Sequence, residues 1–215
     1  MIHEENGFRY AVATADFGDA IVRVLSESFC REPMGAMLGI SAQDLLPLVA
    51  RFVPECTTNG LSVIAVPADD PATLAGVFIS RDFKSPLPDG ILDDFSWFHP
   101  IGEALGTVDE AYERQRPGLT PGKAVDLWMV GTDRRFVRRG IANVLFRMGV
   151  ELARRNGFER CVTECTGAYS QAAARKAGFA ERARLAYRDF RFDGRPIFAA
   201  IEPPHTHLIL YEKEL

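Results

Sequence analysis

The stretch from Ala124 to Leu152 narrows the folds open to this chain more than any other. Ala124–Val130 is a run of strand length, apolar except for Asp126, its polar alternate, which faces either an acceptor or solvent. It gives way to an irregular loop, Asp133-Arg134-Arg135-Phe136-Val137-Arg138-Arg139. Gly140 then opens a helix whose Ile141, Val144, Leu145, Met148 and Leu152 recur at helical spacing, until Asn156-Gly157 stops it. Such a strand–loop–helix unit leaves a helix N-terminus at the end of a strand. Its unpaired N–H groups and positive dipole end make an anion site, and a diphosphate suits it. Gly140 lets a ligand approach the backbone closely, and Ala142 keeps the first turn small. Arg134, Arg135, Arg138 and Arg139 add charge in the form best matched to phosphate, a fork that donates two hydrogen bonds at once. The loop is not a Walker A loop, having no Gly-Lys-Ser/Thr, and the G-x-G-x-x-G spacing is absent.

The remaining segments read as alternating strands and helices. Phe8–Thr14 alternates like a strand. Asp16 is a cap for a helix carrying Ile21, Val24, Leu25 and Phe29, ended by Pro33. Ser41 caps a second helix with Leu45, Leu48, Val49 and Phe52. Strands follow at Leu61–Val66 and Thr73–Ser80. Residues 81–122 are punctuated by proline and read as an insertion with helix over Ile101–Gln115. After the Gly140 helix come a strand at Arg160–Glu164 and a short helix at Ser170–Ala177. Strands over Phe179–Phe192, bent around Asp193-Gly194, and His205–Tyr211 close the order. The pattern predicts one α/β domain over 1–215 with an insertion at about 81–122.

Composition excludes several classes. The chain has 215 residues, 47% of them hydrophobic and 25% charged, which is ample for a core and rules out disorder as the main state. A net charge of −4 argues against a nucleic-acid partner. No run approaches the length of a membrane span, so no membrane partner is expected. Met1–Tyr10 holds Glu4 and Glu5 and no apolar core of a signal peptide. With scattered cysteines, Cys30, Cys56, Cys161 and Cys165, this predicts a cytoplasmic protein with reduced thiols. The spacing of cysteines and histidines makes no zinc site, so no metal is expected. Oligomeric state stays open, a homodimer included.

Phe136-Val137-Arg138-Arg139-Gly140-Ile141-Ala142 resembles motif A of the GNAT superfamily of acetyl-CoA-dependent N-acetyltransferases, Gln/Arg-x-x-Gly-x-Gly/Ala. Gly140 and Ala142 match, and Val137 stands where Gln or Arg is usual. Ser170-Gln-Ala-Ala-Ala-Arg-Lys-Ala-Gly178-Phe179 resembles the later helix of the family, ending in Gly-Phe. The resemblance implies a mixed, mostly antiparallel sheet of about seven strands flanked by helices, with the 81–122 segment inserted before the central strand. It implies acetyl-CoA as cosubstrate. The pantetheine arm would pair with the backbone around Met129, Val130 and Thr132, where the central strand splays from its neighbour. The diphosphate would lie on the amides of Val137, Arg138, Arg139, Gly140, Ile141 and Ala142.

The family's usual acid, a tyrosine four residues before the Gly of Gly-Phe, is replaced here by Ala174. Phe29-Cys30-Arg31-Glu32-Pro33-Met34 is similar to the Glu-Pro segment of the arylalkylamine N-acetyltransferase branch. That resemblance implies Glu32 as base, with Thr166 and Ser170 as assisting hydroxyls; Ser170 also reads as a plain helix cap. His205 and His207 would share a strand face at the surface or partly buried, and mid-strand Trp128 reads as core. The expected activity is acetyl transfer to a small primary amine in a ternary complex. The competing readings are acylation of a protein N-terminus or lysine, and a non-catalytic acyl-CoA sensor.

Overall fold

The computed structural model describes residues 3–215. One sheet of eight strands runs through it, in the order β1 (His3–Glu5), β2 (Phe8–Val12), β3 (Val63–Pro67), β4 (Gly76–Asp82), β5 (Ala124–Thr132), β6 (Arg160–Cys165), β8 (His207–Glu214), β7 (Ala180–Ala186). Every neighbouring pair is antiparallel except β5–β6. The mixed, mostly antiparallel sheet matches the expectation, with one strand beyond the expected seven. Hairpin strand β1 joins β2 through Asn6-Gly7, both at positive φ (54° and 79°), the backbone that Asn-Gly hairpin turns use.

Helices cover both faces. α1 (Gly18–Phe29) and α3 (Ala42–Thr58) lie on one face, with Ile21, Val24 and Leu25 packed against Leu48, Val49 and Phe52. α3 starts where Ser41 predicts. The Asp44 amide donates to Ser41 Oγ at 3.2 Å and the Ser41 amide donates to Asp44 Oδ2 at 2.9 Å, a reciprocal cap. α6 (Ile141–Arg155) and α7 (Ala168–Lys176) cover the other face, where Val144, Leu145 and Leu152 meet Val125 and Leu127.

The 81–122 segment is not a bare excursion. It holds short α4 (Ile91–Asp94) and α5 (His99–Gln115), which sends Ala104, Val108 and Tyr112 into a core shared with Val162, Leu208 and Leu210. Several sequence expectations need correction. Asp16 does not cap α1: it lies inside a 3-10 turn, Ala15–Phe17, and Phe17 holds the N-cap position with no side-chain cap. The strand expected over Phe179–Phe192 stops at Ala186, because Tyr187, Phe190 and Phe198 are buried by packing on one another in a loop rather than by a ladder. Pro33 does not simply end α1. It opens a five-residue helix, α2 (Pro33–Met37), with Glu32 at its N-cap. Among the described residues, no helix is long and apolar enough to cross a membrane, and no group of three or more His, Cys, Asp or Glu is arranged to hold a metal ion.

Candidate active site

The sheet is opened at its centre by two local irregularities. β5 pairs with β6 only over Ala124–Asp126, although β5 continues to Thr132 and β6 to Cys165. Beyond Asp126 the strands part, and the edge of β5 that faces β6 has no ladder partner. On its other edge, Ile79 faces Met129 but Ser80 faces Leu127, so Trp128 is the extra residue of a bulge. The bulge resets the alternation, and Trp128 and Met129 both reach the α1–α3 side. Met129 and Val130 thus lie on the splayed stretch, and Thr132 ends it.

Glu32 is held at the mouth of this gap. Its amide donates to the Phe29 carbonyl at 3.1 Å, and Pro33 fixes the next φ, so the chain turns sharply between α1 and α2. Gly35 makes the corner possible, since a Cβ there would lie 2.9 Å from the Phe29 carbonyl oxygen. Thr166, just past β6, donates its hydroxyl to Glu32 Oε2 at 2.5 Å. Thr166 is positioned in turn by Tyr187, whose hydroxyl donates to the Thr166 carbonyl at 2.5 Å. Burial raises the pKa of Glu32; the Thr166 hydrogen bond and the nearby His205 pull the other way without cancelling it. The result is a carboxylate with increased drive to take a proton.

Gly167 lets a third group in. A Cβ there would lie 3.3 Å from His205 Nδ1 and 3.4 Å from Glu32 Oε2, so any larger residue would press on both side chains. His205 Nδ1 accepts the Ala168 amide at 3.1 Å, which puts the proton of the neutral ring on Nε2. His205 also meets the ring of Tyr169 edge-on at 5.5 Å. His205 reads from the sequence as a surface or partly buried strand residue, and nothing in a single sequence brings it or Tyr187 to Glu32. Ser170 is the third residue of α7, behind the N-cap Gly167. Its hydroxyl donates to the Gly167 carbonyl at 2.9 Å, and it lines the gap with Glu32 and Thr166 without bonding to either. Ala174 is fully buried in the core, so α7 presents no phenol there.

The loop before α6 forms a cradle. Arg138 (φ 65°) and Gly140 (φ 79°) are both left-handed, and the amides of Val137, Arg138, Arg139, Gly140, Ile141 and Ala142 meet no acceptor among the described residues. Successive outward amides of this kind make an anion-binding concavity. The side chain of Ile141 points into the core, so its contribution to the cradle is its N–H. The arginine cluster is thinner than the sequence suggests. Arg135 is committed to Asp133 through Nε (3.0 Å) and Nη2 (2.9 Å), which holds the Asp133 carboxyl down at about 2. Arg139 lies over the Phe8 ring at 5.5 Å. Between α6 and α7, Asn143, Arg147, Lys176 and Lys213 line a basic cleft that no motif announced.

Two cavities meet at Glu32 and Thr166. One is the gap between the splayed strands, lined by Phe78, Val130, Phe146, Cys165 and Ser170. The other, about 750 Å³ with its mouth included, is apolar and aromatic, with Phe29, Phe52, Trp97, Phe98 and Trp128 in its wall. Trp128 is therefore a cavity wall, packed edge-on to Phe52 at 4.2 Å, rather than plain core.

No protein-family model matches the sequence, and a search of curated proteins finds no match. Solved structures do match. Arylalkylamine N-acetyltransferase 2 from Aedes aegypti superposes with a TM-score of 0.81 at 22% identity, over 96% of this chain and 98% of that one. The C-terminal condensation domain of Ebony, solved in complex with beta-alanyl-dopamine, gives 0.83 at 16% identity over the whole of both chains. The structure of yncA from Salmonella typhimurium, solved with its cofactor acetyl-CoA, gives 0.58 at 14% identity, over 97% of this chain and 94% of that one. The chain has the fold of the GNAT acetyltransferases.

Proposed function

We propose that this chain is an N-acetyltransferase that moves the acetyl group of acetyl-CoA to a small primary amine. The observation that carries the reading is the Glu32–Thr166 pair, at the one place where the strand gap and the aromatic cavity meet. The residues present fit acetyl-CoA: an unpaired strand edge at Met129–Thr132 for an amide-bearing arm, and free amides at Val137–Ala142 for a diphosphate. When bound, acetyl-CoA supplies an activated acyl carbon. That such a cosubstrate is used in this fold is consistent with the acetyl-CoA in yncA.

In this reading the aromatic wall takes the apolar body of the amine and keeps water from the junction. An amine arrives protonated near neutral pH and is not nucleophilic until it loses that proton. Glu32, its affinity for protons raised by burial, takes it. Thr166 holds the carboxylate in place and stabilises it once it is charged. Ser170, at the same gap, stands beside the leaving side and is our choice for relaying a proton there, in place of the phenol that Ala174 cannot provide. Soluble function in the cytoplasm, without nucleic-acid or membrane partners, belongs to the same proposal.

The test is thiol release from acetyl-CoA against a panel of primary amines, beside calorimetry of acetyl-CoA binding. Saturable binding at tens of micromolar or tighter with amine-dependent release supports the proposal. Binding with no release from any amine overturns it in favour of an acyl-CoA sensor, and release with peptides alone in favour of a protein acetyltransferase.

A further inference from the structure

Behind the aromatic cavity lies a second one that the mechanism above does not use. The two share Phe98, Leu105, Trp128 and Glu164 as wall. Its floor is acidic: Asp109 from α5, Asp126 from β5 and Glu164 from β6. Asp126 is only 8% exposed, and its Oδ1 has no hydrogen-bond partner. Asp109 and Glu164 hydrogen-bond to each other, two carboxyls sharing a proton, and among the described residues no arginine or lysine hydrogen-bonds to any of the three. A buried carboxylate oxygen without a donor is uncommon in a folded protein and asks for one. The wall from α5 is hollowed by Gly102 and Gly106, one turn apart, and a Cβ at Gly106 would meet nothing within 4 Å. Two glycines weaken a helix interior. Here they leave open space above the carboxyls.

The cations nearby do not satisfy this cluster. Arg81 is 4% exposed and faces Asp126, but its Nη2 donates to the carbonyls of Ser85 and Pro86 while Nε is left without a partner. Glu55 stands 3.8 Å from that Nε. Lys84 is paired with Glu113 at 2.8 Å. Three carboxyls therefore face one guanidinium that is already engaged. No arrangement of these residues suits a metal ion.

We propose that Asp109, Asp126 and Glu164 form a subsite for a cationic nitrogen group, ammonium or guanidinium, at the far end of an acceptor whose reacting amine lies beside Glu32. The preferred acceptor is then an amine with two basic ends and an apolar spacer lying along Trp128, Phe98 and Leu105. This rests on the N-acetyltransferase reading of the junction. The span follows from the strands: Glu164 lies two residues before Thr166, and Asp126 is in register with Val162, four residues before it. At ~3.3 Å per residue that is roughly 7 to 13 Å. Burial supports the assignment, since it pushes Asp109 up to about 9 and Glu164 up to about 8, so the empty cluster holds protons that an entering cation replaces.

The experiment compares alkane-α,ω-diamines of about five to eight methylenes with n-alkylamines of equal length, by calorimetric binding and by thiol release. The intact chain is used as wild type, Asp126→Asn and Asp109→Asn. Wild type is expected to bind the diamine about ten- to a hundredfold more tightly, the worth of hydrogen bonds to a charged group. Each variant is expected to bring the two within about twofold, with monoamine binding unchanged. The variants come from different elements, sheet and helix, so a folding defect in one leaves the other to decide. Equal binding of diamine and monoamine by wild type overturns the subsite, as does a preference that survives both substitutions. Diamine preference without turnover of any amine overturns the transfer reading and leaves the subsite standing. Turnover without preference does the reverse.

Discussion

Replacing Gly140 by alanine tests the anion cradle through its backbone alone. A Cβ at Gly140 would meet nothing within 4 Å, so the substitution neither crowds a neighbour nor removes a contact. Its cost is conformational. Gly140 sits at φ 79°, ψ 5°, and an L-residue held there costs roughly 1–2 kcal/mol. The reduced freedom of the unfolded chain returns ~0.4–1 kcal/mol, leaving a net loss of about 1 kcal/mol. For a chain of this length that is a fall in Tm of about 2–4 °C. If the backbone instead relaxes toward negative φ, the amides of Gly140–Ala142 turn away from the cradle. Hydrogen bonds to a charged group contribute ~1.5–3 kcal/mol each, so acetyl-CoA binding weakens about tenfold or more. Thermal melting and calorimetry of acetyl-CoA on the variant read both effects. Arg138→Gly is the mirror experiment: Arg138 already bears the left-handed strain at φ 65°, and its removal is expected to hold or raise Tm. A Gly140→Ala protein with unchanged Tm and unchanged acetyl-CoA affinity would refute the cradle.

Other outcomes follow from the same geometry. Gly35→Ala drives a Cβ to 2.9 Å from the Phe29 carbonyl, an overpacking worth about 1–3 kcal/mol, and moves Glu32; steady-state kinetics are expected to show kcat falling while calorimetric acetyl-CoA affinity holds. Asp109 ionises at ~3.9 in an unfolded chain but is held protonated up to about 9 in the fold. The folded state therefore binds the extra proton between those values, and its stability falls as pH climbs through them. Melting curves of Asp109→Asn are expected to lose Tm less steeply than wild type between about pH 5 and 8; parallel curves would contradict the assignment.

What the sequence makes legible is local. Ser41 and Asp44 announce α3, and the apolar stripe behind Gly140 announces α6, because caps and helical periodicity act over a few residues. Glu32, Thr166 and Ser170 are reached through a resemblance. The structure brings Glu32 and Thr166 into hydrogen-bond contact but gives Ser170 a backbone partner instead. The rest depends on tertiary placement. The bulge at Trp128 turns a residue that reads as mid-strand core into a cavity wall. Tyr187 and Phe190 fall within a stretch that reads as strand, yet they pack in a loop. Asp126, the polar alternate of its strand, reads equally as facing an acceptor amine or solvent, and nothing local links it to Asp109 or Glu164; only the fold brings the three to one cavity. Asn6-Gly7 did carry a hairpin signal, and it accounts for the extra strand.

In the proposed mechanism Glu32, set between the strand gap and the aromatic cavity, removes the proton of the attacking amine. The most direct measurement is the pH dependence of kcat/KM for wild type and Glu32→Gln, with acetyl-CoA affinity followed in parallel. Wild type is expected to show an acid limb above the ordinary glutamate value of ~4.3, because burial raises Glu32. In Glu32→Gln the limb is expected to disappear, with activity lower by about 10²–10⁴-fold and acetyl-CoA bound as before. A variant that keeps the same limb at the same pH, or keeps wild-type activity, would contradict it.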